Sequence, residues 1–230
     1  MIKNSMESCA LIWDMDGTLV DSYPAIVPAA KTVCDELGIF YSEEEIHDKV
    51  IRTSVGTLLE EAAEKLGLDP QPIKAHFNKL NDSRIDAIRP ILHAAETLKE
   101  LCTLGHKNFV YTHRGASCQA ILDQNRLSPY FTEILTALSG FPRKPAPDAI
   151  TYLVQKYNLS PEHTYYVGDR RLDVEAAENA GVKSILYLIP GSPVTPAGCE
   201  AAVVSDLLHA HQSSFDLAFG PGCTSGSHIC

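Results

Sequence analysis

The sequence has no long apolar run and no excess of basic residues. None of its apolar stretches approaches the ~20 residues that a helix needs to cross a bilayer. Its 19 Lys and Arg residues are outnumbered by 29 Asp and Glu residues, which gives a formal net charge of −10. Nucleic-acid-binding surfaces require clustered basic residues. These features argue against a membrane and against a nucleic acid as partners.

The sequence also lacks paired cysteines. Its seven cysteines are odd in number and scattered, and no two of them form a CxxC pair. This pattern argues against a zinc site and a disulfide framework, and it is typical of reduced thiols in a cytoplasmic protein. The N-terminal segment has no apolar stretch of the kind found in signal peptides, so a cytoplasmic location is expected on this ground too.

The order of the apolar runs predicts an α/β fold. Runs that predict strands lie at residues 9–14, 108–112, 133–136, 164–169, 184–189 and, more weakly, 201–204. They are continuous rather than alternating, as in parallel strands with helices on both faces. Amphipathic patterns predict helices at about 90–104, 115–126, 145–157 and 171–180. We therefore predict a doubly wound parallel sheet.

One long interval breaks this alternation. About 90 residues separate Asp14 from the second strand, which is far more than a crossover requires. Helices are predicted within it near 24–37, 43–50, 54–66 and 71–86. We predict a small all-helical cap over residues 21–88, inserted after the first strand into a core of residues 1–20 and 89–212. The Gly-rich segment 213–230 is predicted to be a flexible tail.

Two aspartates follow the first strand directly, in the segment Asp14-Met15-Asp16-Gly17. Ligands of doubly wound sheets bind at the carboxyl ends of the strands. An ionised Asp14 there could attack phosphorus and form a covalent aspartyl phosphate. Asp16 could protonate the leaving group and then deprotonate the hydrolytic water. Taken alone, this short motif fits an acidic turn equally well.

Polar residues follow three further predicted strands. Thr112 precedes a predicted helix and could hold a phosphate oxygen or serve as an N-cap. Lys144 lies between prolines and could neutralise a transferring phosphoryl group, or be a surface lysine. Asp169 and Asp173 are four residues apart at a helix start, where hard oxygen ligands suit Mg²⁺ and where the helix dipole also favours acids.

In this order, the four motifs resemble those of the haloacid dehalogenase superfamily. The resemblance spans roughly residues 9–210 and is strongest for the branch with a helical cap, which includes phosphoglycolate-phosphatase-like enzymes. It implies that Asp14 is the nucleophile and a Mg²⁺ ligand. It also implies that Asp16 is the acid and base and binds the metal through its backbone carbonyl.

The resemblance assigns roles to the other motifs as well. Thr112 and the following residue, His113, are expected to bind phosphate, and Lys144 is expected to face it. Asp169 is expected to bind Mg²⁺, with support from Asp173. The substrate expected from the resemblance is a small phosphorylated metabolite, with specificity set by the cap. Our candidate for a substrate-facing segment in the cap is Arg52, Thr53 and Ser54, with Arg52 as its substrate-binding residue.

The motifs depart from the common pattern in their basic residues. His113-Arg114 and Arg170-Arg171 stand where relatives often have Asn and then Ser or Thr, and Arg143 precedes Lys144. These cations could attract an anionic substrate or pair with acids at the surface.

Other functions remain open at this stage. A sugar phosphomutase of the same superfamily would retain both aspartates, whereas dehalogenases typically lack the second. A catalytically silent phosphate-binding module is a candidate of a different class. A dinucleotide-binding oxidoreductase is disfavoured because no GxGxxG follows the first strand. The oligomeric state is expected to be a monomer or a homodimer.

Overall fold

A computed structural model describes residues 8–210 of the chain, and its centre is a parallel sheet of six strands. The strands of this sheet are β1 (Ala10–Trp13), β4 (Lys107–Tyr111), β5 (Glu133–Leu135), β6 (Thr164–Gly168), β7 (Lys183–Tyr187) and β8 (Ala202–Val204). Their order across the sheet is β5-β4-β1-β6-β7-β8. The predicted fold class and all six predicted strands are confirmed.

Helices cover both faces of this sheet. They are α5 (Ala94–Thr103), α6 (Ser117–Gln124), α7 (Asp148–Lys156) and α8 (Arg171–Asn179). Along β1, Leu11 and Trp13 belong to one apolar cluster, while Ala10 and Ile12 belong to another. Because both faces of β1 are buried, its sequence reads as a continuous apolar run.

The sheet register aligns the carboxyl ends of three strands. Trp13, the last residue of β1, lies opposite Val110 of β4 and Val167 of β6. The chain leaves β1 for β4 on one side, while β6 lies on the other side, so a crevice opens here. The residues that follow these three strands therefore share one edge of the sheet.

Four helices form the cap between β1 and β4. They are α1 (Tyr23–Glu36), α2 (Glu43–Arg52), α3 (Val55–Leu66) and α4 (Pro70–Asp82). Ala30, Leu59 and Phe77 belong to the apolar cluster that these helices share. The break predicted between α3 and α4 is present, since Gly67 ends α3 with φ of +66° and Asp69 caps α4 through the amide of Gln71.

The sequence did not reveal a short antiparallel pair beneath the cap. Strand β2 (Val20–Asp21) pairs with β3 (Arg89–Pro90), so the chain enters and leaves the cap side by side. At two residues each, these strands are too short to give a periodic pattern.

Several helices are shorter than the sequence predicted. The helix predicted over 71–86 ends at Asp82, and a separate 3₁₀ turn spans Ile85–Ala87. The helix predicted over 145–157 begins only at Asp148, after Pro147 at its N-cap. Proline disfavours helical backbone in the residue before it, which delays the start.

Further predictions concern partners and cysteines. Within the described part of the chain, no helix has the length and apolar character needed to cross a membrane. None of the cysteines between residues 8 and 210 forms a disulfide with another described residue. The predicted tail at 213–230 lies outside the described residues.

Candidate active site

The Asp14 carboxylate is buried at the end of β1, where Lys144 anchors it. The Lys144 ammonium donates hydrogen bonds to Asp14 Oδ1 at 2.8 Å, to Asp173 Oδ1 at 2.6 Å and to the Tyr166 hydroxyl at 2.8 Å. The side chain of Lys144 has no exposed surface. A buried ammonium with three acceptors is fully satisfied, so Lys144 is a fixed positive charge beside Asp14.

Three carboxylates meet around this point. Oxygens of Asp14, Asp169 and Asp173 lie within 4.8 Å of one another. Asp169 Oδ2 accepts a hydrogen bond from the Tyr23 hydroxyl at 2.8 Å, whereas its Oδ1 is buried with no hydrogen-bond donor among the described residues. An orphaned carboxylate oxygen in an oxygen-rich cluster fits a hard divalent cation such as Mg²⁺.

Burial and like charge act on this cluster together. Desolvation raises the pKa of Asp169 to about 7, with Arg170 opposing the rise and the Asp14 and Asp173 carboxylates adding to it. Desolvation likewise raises the pKa of Asp173, against the lowering effect of Lys144. Carboxylates held this close favour a cation between them.

Asp16 lies beside this cluster but outside it. Its carboxylate accepts hydrogen bonds from Arg114 Nε at 2.9 and 3.1 Å and from one Arg114 terminal nitrogen at 2.6 Å. This two-pronged contact ties the Asp16 carboxylate to Arg114, and Asp16 is not among the carboxylates whose oxygens lie within 4.8 Å of one another. Only the backbone carbonyl of Asp16 is then a candidate metal ligand, which is the role that the sequence resemblance implied.

Gly17 makes room for the cluster. Its φ is +84°, and a Cβ at this position would collide with Asp169 Oδ2 and lie 2.9 Å from the Tyr23 hydroxyl. Glycine is therefore required here both for the backbone conformation and for the close approach of Asp169.

Thr112 and His113 follow β4 and shape the neighbouring loops. Thr112 Oγ1 accepts a hydrogen bond from the Arg114 amide at 3.1 Å. His113 Nε2 accepts one from the Lys144 amide at 2.7 Å, which requires a neutral ring. Burial, together with the cations Lys144 and Arg143, lowers the pKa of His113 to about 2.

A cavity of about 430 Å³ lies between the cap and the core loops. Its core side includes Asp16, Thr112, His113, Arg114, Arg143 and Arg170. Its cap side includes the apolar residues Ile26, Val50, Val55, Leu59 and Phe77, the amides Asn78 and Asn81, and the charged residues Lys74 and Asp82. The cavity thus has several arginines at its core end and a mixed wall with an apolar part at its cap end.

Arg52 is not brought to this cavity. It is the last residue of α2, and its guanidinium turns back to Asp48 at 3.1 Å and to the carbonyl of Pro193 at 3.2 Å. The residue of this segment that does line the cavity is Ser54, which caps α3 through the amide of Thr57.

Of the four arginines that the sequence left unassigned, Arg143 is exposed and lines the cavity, and the other three divide into two groups. Arg171 is exposed and pairs with Glu175, as a surface residue would. Arg114 and Arg170 are largely buried against the aspartates. Their position directly after motif residues was the only signal available in the sequence. Tyr23, which contacts Asp169 from the cap, gave no signal at all.

This architecture and site define a class of protein. The model of the haloacid dehalogenase-like hydrolase family matches residues 11–187. The chain therefore belongs to the haloacid dehalogenase-like hydrolases.

Individual relatives indicate which members of this family the chain resembles. The chain is 29% identical over 187 residues to phosphoglycolate phosphatase of Vibrio parahaemolyticus, covering 76% of this chain and 81% of the relative. It is 24% identical over 194 residues to the pyrophosphatase PpaX of Oceanobacillus iheyensis, covering 76% and 80%. A crystal structure of a predicted phosphoglycolate phosphatase from Haemophilus somnus shares the fold, with a TM-score of 0.76, 21% identity and coverage of 89% and 97%.

Proposed function

We propose that this protein is a Mg²⁺-dependent phosphatase that hydrolyses a small phosphomonoester through an aspartyl phosphate on Asp14. The observation that carries the proposal is the buried Asp14 carboxylate, held by Lys144 at 2.8 Å beside two further carboxylates. Its relatives include phosphoglycolate phosphatases, so we propose a small phosphorylated metabolite of that kind as the substrate.

The first half of the reaction transfers the phosphoryl group. An Asp14 oxygen forms a bond to phosphorus while the bond from phosphorus to the ester oxygen breaks. Asp16 gives its proton to the departing oxygen, which leaves as an alcohol. Lys144 and the Thr112 hydroxyl stabilise the phosphoryl oxygens.

The second half releases phosphate. Water attacks phosphorus, Asp16 accepts its proton, and the bond between phosphorus and Asp14 breaks to restore the carboxylate. A bound Mg²⁺ supplies charge neutralisation for the phosphoryl oxygens. The residues that would hold it are Asp14, Asp169 and Asp173, with the carbonyl of Asp16.

We further propose that residues 21–88 act as a cap over the core of residues 1–20 and 89–212. The cavity between the two is lined from both sides. Closure of the cap would exclude bulk water during phosphoryl transfer to Asp14 and select the group that carries the phosphate. The cytoplasmic location and the monomeric or homodimeric state stay predictions.

The nucleophile assignment is tested with Asp14→Asn and p-nitrophenyl phosphate. We expect this variant to lose Mg²⁺-dependent release of p-nitrophenol while its circular dichroism spectrum is unchanged. Asp35→Asn on α1, which removes a carboxylate paired with Lys31, is the matched control and should retain full turnover. Undiminished turnover in Asp14→Asn would refute the proposed mechanism.

A substrate panel separates the remaining alternatives. Phosphoglycolate, sugar phosphates, nucleoside monophosphates and pyrophosphate are each assayed for release of inorganic phosphate. A mutase incubated with a hexose 1-phosphate would yield an isomeric sugar phosphate instead of free phosphate. A silent binding module would turn over none of them.

A further inference from the structure

The Arg170 side chain lies among the three carboxylates of the site. One of its terminal nitrogens is 3.5 Å from Asp14 Oδ2, and its Nε is 3.7 Å from Asp169 Oδ1 and 4.0 Å from Asp173 Oδ2. Only 11% of the side chain is exposed. Arg170 therefore places a permanent positive charge against the same oxygens that would bind a divalent cation.

The contacts of the Arg170 guanidinium are longer and less directed than those of Arg114. Its Nε is buried and has no hydrogen-bond partner among the described residues. By contrast, Arg114 makes three short hydrogen bonds to Asp16. The Arg170 guanidinium is held by one long hydrogen bond, from a terminal nitrogen to Asp14 Oδ2 at 3.5 Å, and so it loses less when it moves than a guanidinium with several short hydrogen bonds does. Arg170 is therefore the more easily displaced of the two arginines.

Arg170 also lies on the route to Asp14. The Asp14 side chain is only 1% exposed and is not part of the cavity lining, whereas Arg170 lines the cavity and contacts Asp14 Oδ2. A substrate in the cavity would meet the guanidinium before the carboxylate. A shift of Arg170 would therefore open Asp14 Oδ2 to the cavity.

We propose that Arg170 competes with Mg²⁺ for Asp14, Asp169 and Asp173, and that the displaced guanidinium binds an anionic oxygen of the substrate in the cavity. The first half of this proposal, the competition with Mg²⁺, concerns only the carboxylates and the metal. The second half of the proposal, the binding of substrate by Arg170, rests on the proposed phosphatase function. Arg170 is in this view a positioning residue that links metal binding to substrate binding.

This exchange has a thermodynamic consequence. A guanidinium that leaves the carboxylates loses its anionic partners, and a phosphate in the cavity replaces them. Phosphate should therefore strengthen Mg²⁺ binding, and Mg²⁺ should strengthen phosphate binding by the same factor. Some coupling arises from direct contact between the two ligands, and Arg170 should add to it.

The competition is measured by calorimetric titration of the full chain with Mg²⁺ alone. We expect Arg170→Gln to bind Mg²⁺ about tenfold more tightly than the wild type, within the usual range of coupling between sites. Arg171→Gln is the matched control, because it removes the same charge from the neighbouring position, where Arg171 pairs with Glu175. Its affinity for Mg²⁺ should equal that of the wild type.

Two further measurements distinguish a change in Mg²⁺ affinity from a folding defect in the variant. The increase in the free energy of unfolding on adding Mg²⁺, measured by urea unfolding, should be larger for Arg170→Gln than for the wild type, whatever their starting stabilities. Arg170→Lys, which keeps a cation, should bind Mg²⁺ less tightly than Arg170→Gln. The competition is overturned if Arg170→Gln binds Mg²⁺ no more tightly than the wild type, or if Arg171→Gln matches its gain.

The same titration with inorganic phosphate present tests the second half. Phosphate should tighten Mg²⁺ binding by a larger factor in the wild type than in Arg170→Gln, and equal factors would overturn this half. Failure of the phosphatase proposal looks different, since p-nitrophenyl phosphate would stay intact while Arg170→Gln still gained affinity for Mg²⁺.

Discussion

At the scale of single residues, Gly17 shows how tightly the backbone and side chains of the site pack. Its backbone has φ of +84°, and the space of its missing side chain is taken by Asp169. Gly105 has almost the same φ, +82°, but a Cβ added there would have none of the described atoms within 4 Å. The two glycines therefore separate the effect of backbone strain from the effect of a collision inside the site.

We expect Gly17→Ala to lower both stability and Mg²⁺ affinity. Positive φ in a non-glycine residue costs on the order of 1–3 kcal/mol, and the new methyl group must also displace the Asp169 carboxylate. Gly105→Ala should show only the first effect. Urea unfolding and calorimetric Mg²⁺ titration measure the two quantities. Equal Mg²⁺ affinity in both variants would contradict the account of Gly17.

His113 gives a pH dependence of stability. Its pKa is lowered to about 2 in the folded chain, against an unfolded value of ~6.5. As the pH falls below ~6.5, the unfolded chain gains a proton that the folded chain does not accept, so stability is full above this pH and is lost below it. The loss reaches at most about 1.4 kcal/mol per pH unit.

We expect His113→Gln to lose less stability than the wild type between pH 7 and pH 5, because glutamine can still accept a hydrogen bond from the Lys144 amide and does not titrate. Urea unfolding at the two pH values measures this loss. His76→Gln, on exposed α4 surface, is the control and should keep the acid sensitivity of the wild type. The same acid loss in His113→Gln would count against a buried neutral imidazole.

At the scale of elements, the start of α3 joins the cap to the cavity. Ser54 accepts a hydrogen bond from the Thr57 amide at 3.0 Å and lines the cavity. Ser42 accepts one from the Glu45 amide at 3.1 Å at the exposed start of α2. Both serines satisfy an amide that the first turn of a helix leaves unpaired.

We expect Ser54→Ala and Ser42→Ala each to lower the free energy of unfolding by about 1 kcal/mol, the usual value of a lost N-cap. Ser54→Asp should restore stability, since aspartate is an equally good cap. Only the Ser54 variants should change KM for p-nitrophenyl phosphate. If KM changed as much in Ser42→Ala as in Ser54→Ala, the start of α3 would have no specific effect on substrate binding.

These elements also show what the sequence could and could not reveal. Asp14, Thr112, Lys144 and Asp169 were predictable because each follows an apolar run, and parallel strands end at one edge of a sheet. The contacts of Arg170 and Tyr23 depend on side-chain conformations and on how the cap meets the core. No local pattern encodes such contacts. Arg52 is a different case, because its ion pair with Asp48 is an i,i+4 contact within α2 that the sequence pattern could have indicated. Only its contact with the Pro193 carbonyl depends on how the cap meets the core.

At the scale of the whole molecule, local and total charge oppose each other. The chain carries a formal net charge of −10 and should repel an anionic phosphomonoester at long range. The core end of the cavity nevertheless includes Arg143, which is exposed and has no ion-pair partner within 4 Å that the structure of residues 8–210 shows. Arg143 is therefore placed to attract an anion at the cavity.

We expect Arg143→Gln to abolish or reverse the salt dependence of hydrolysis. In the wild type, kcat/KM for p-nitrophenyl phosphate should fall as ionic strength rises, because salt screens the attraction by the cavity cations. Without Arg143 the repulsion by the rest of the protein dominates, so salt should leave kcat/KM unchanged or raise it. Arg171→Gln changes the net charge equally but lies outside the cavity lining, and its salt dependence should follow the wild type. If both variants respond to salt alike, net charge rather than the position of Arg143 governs the approach of the substrate.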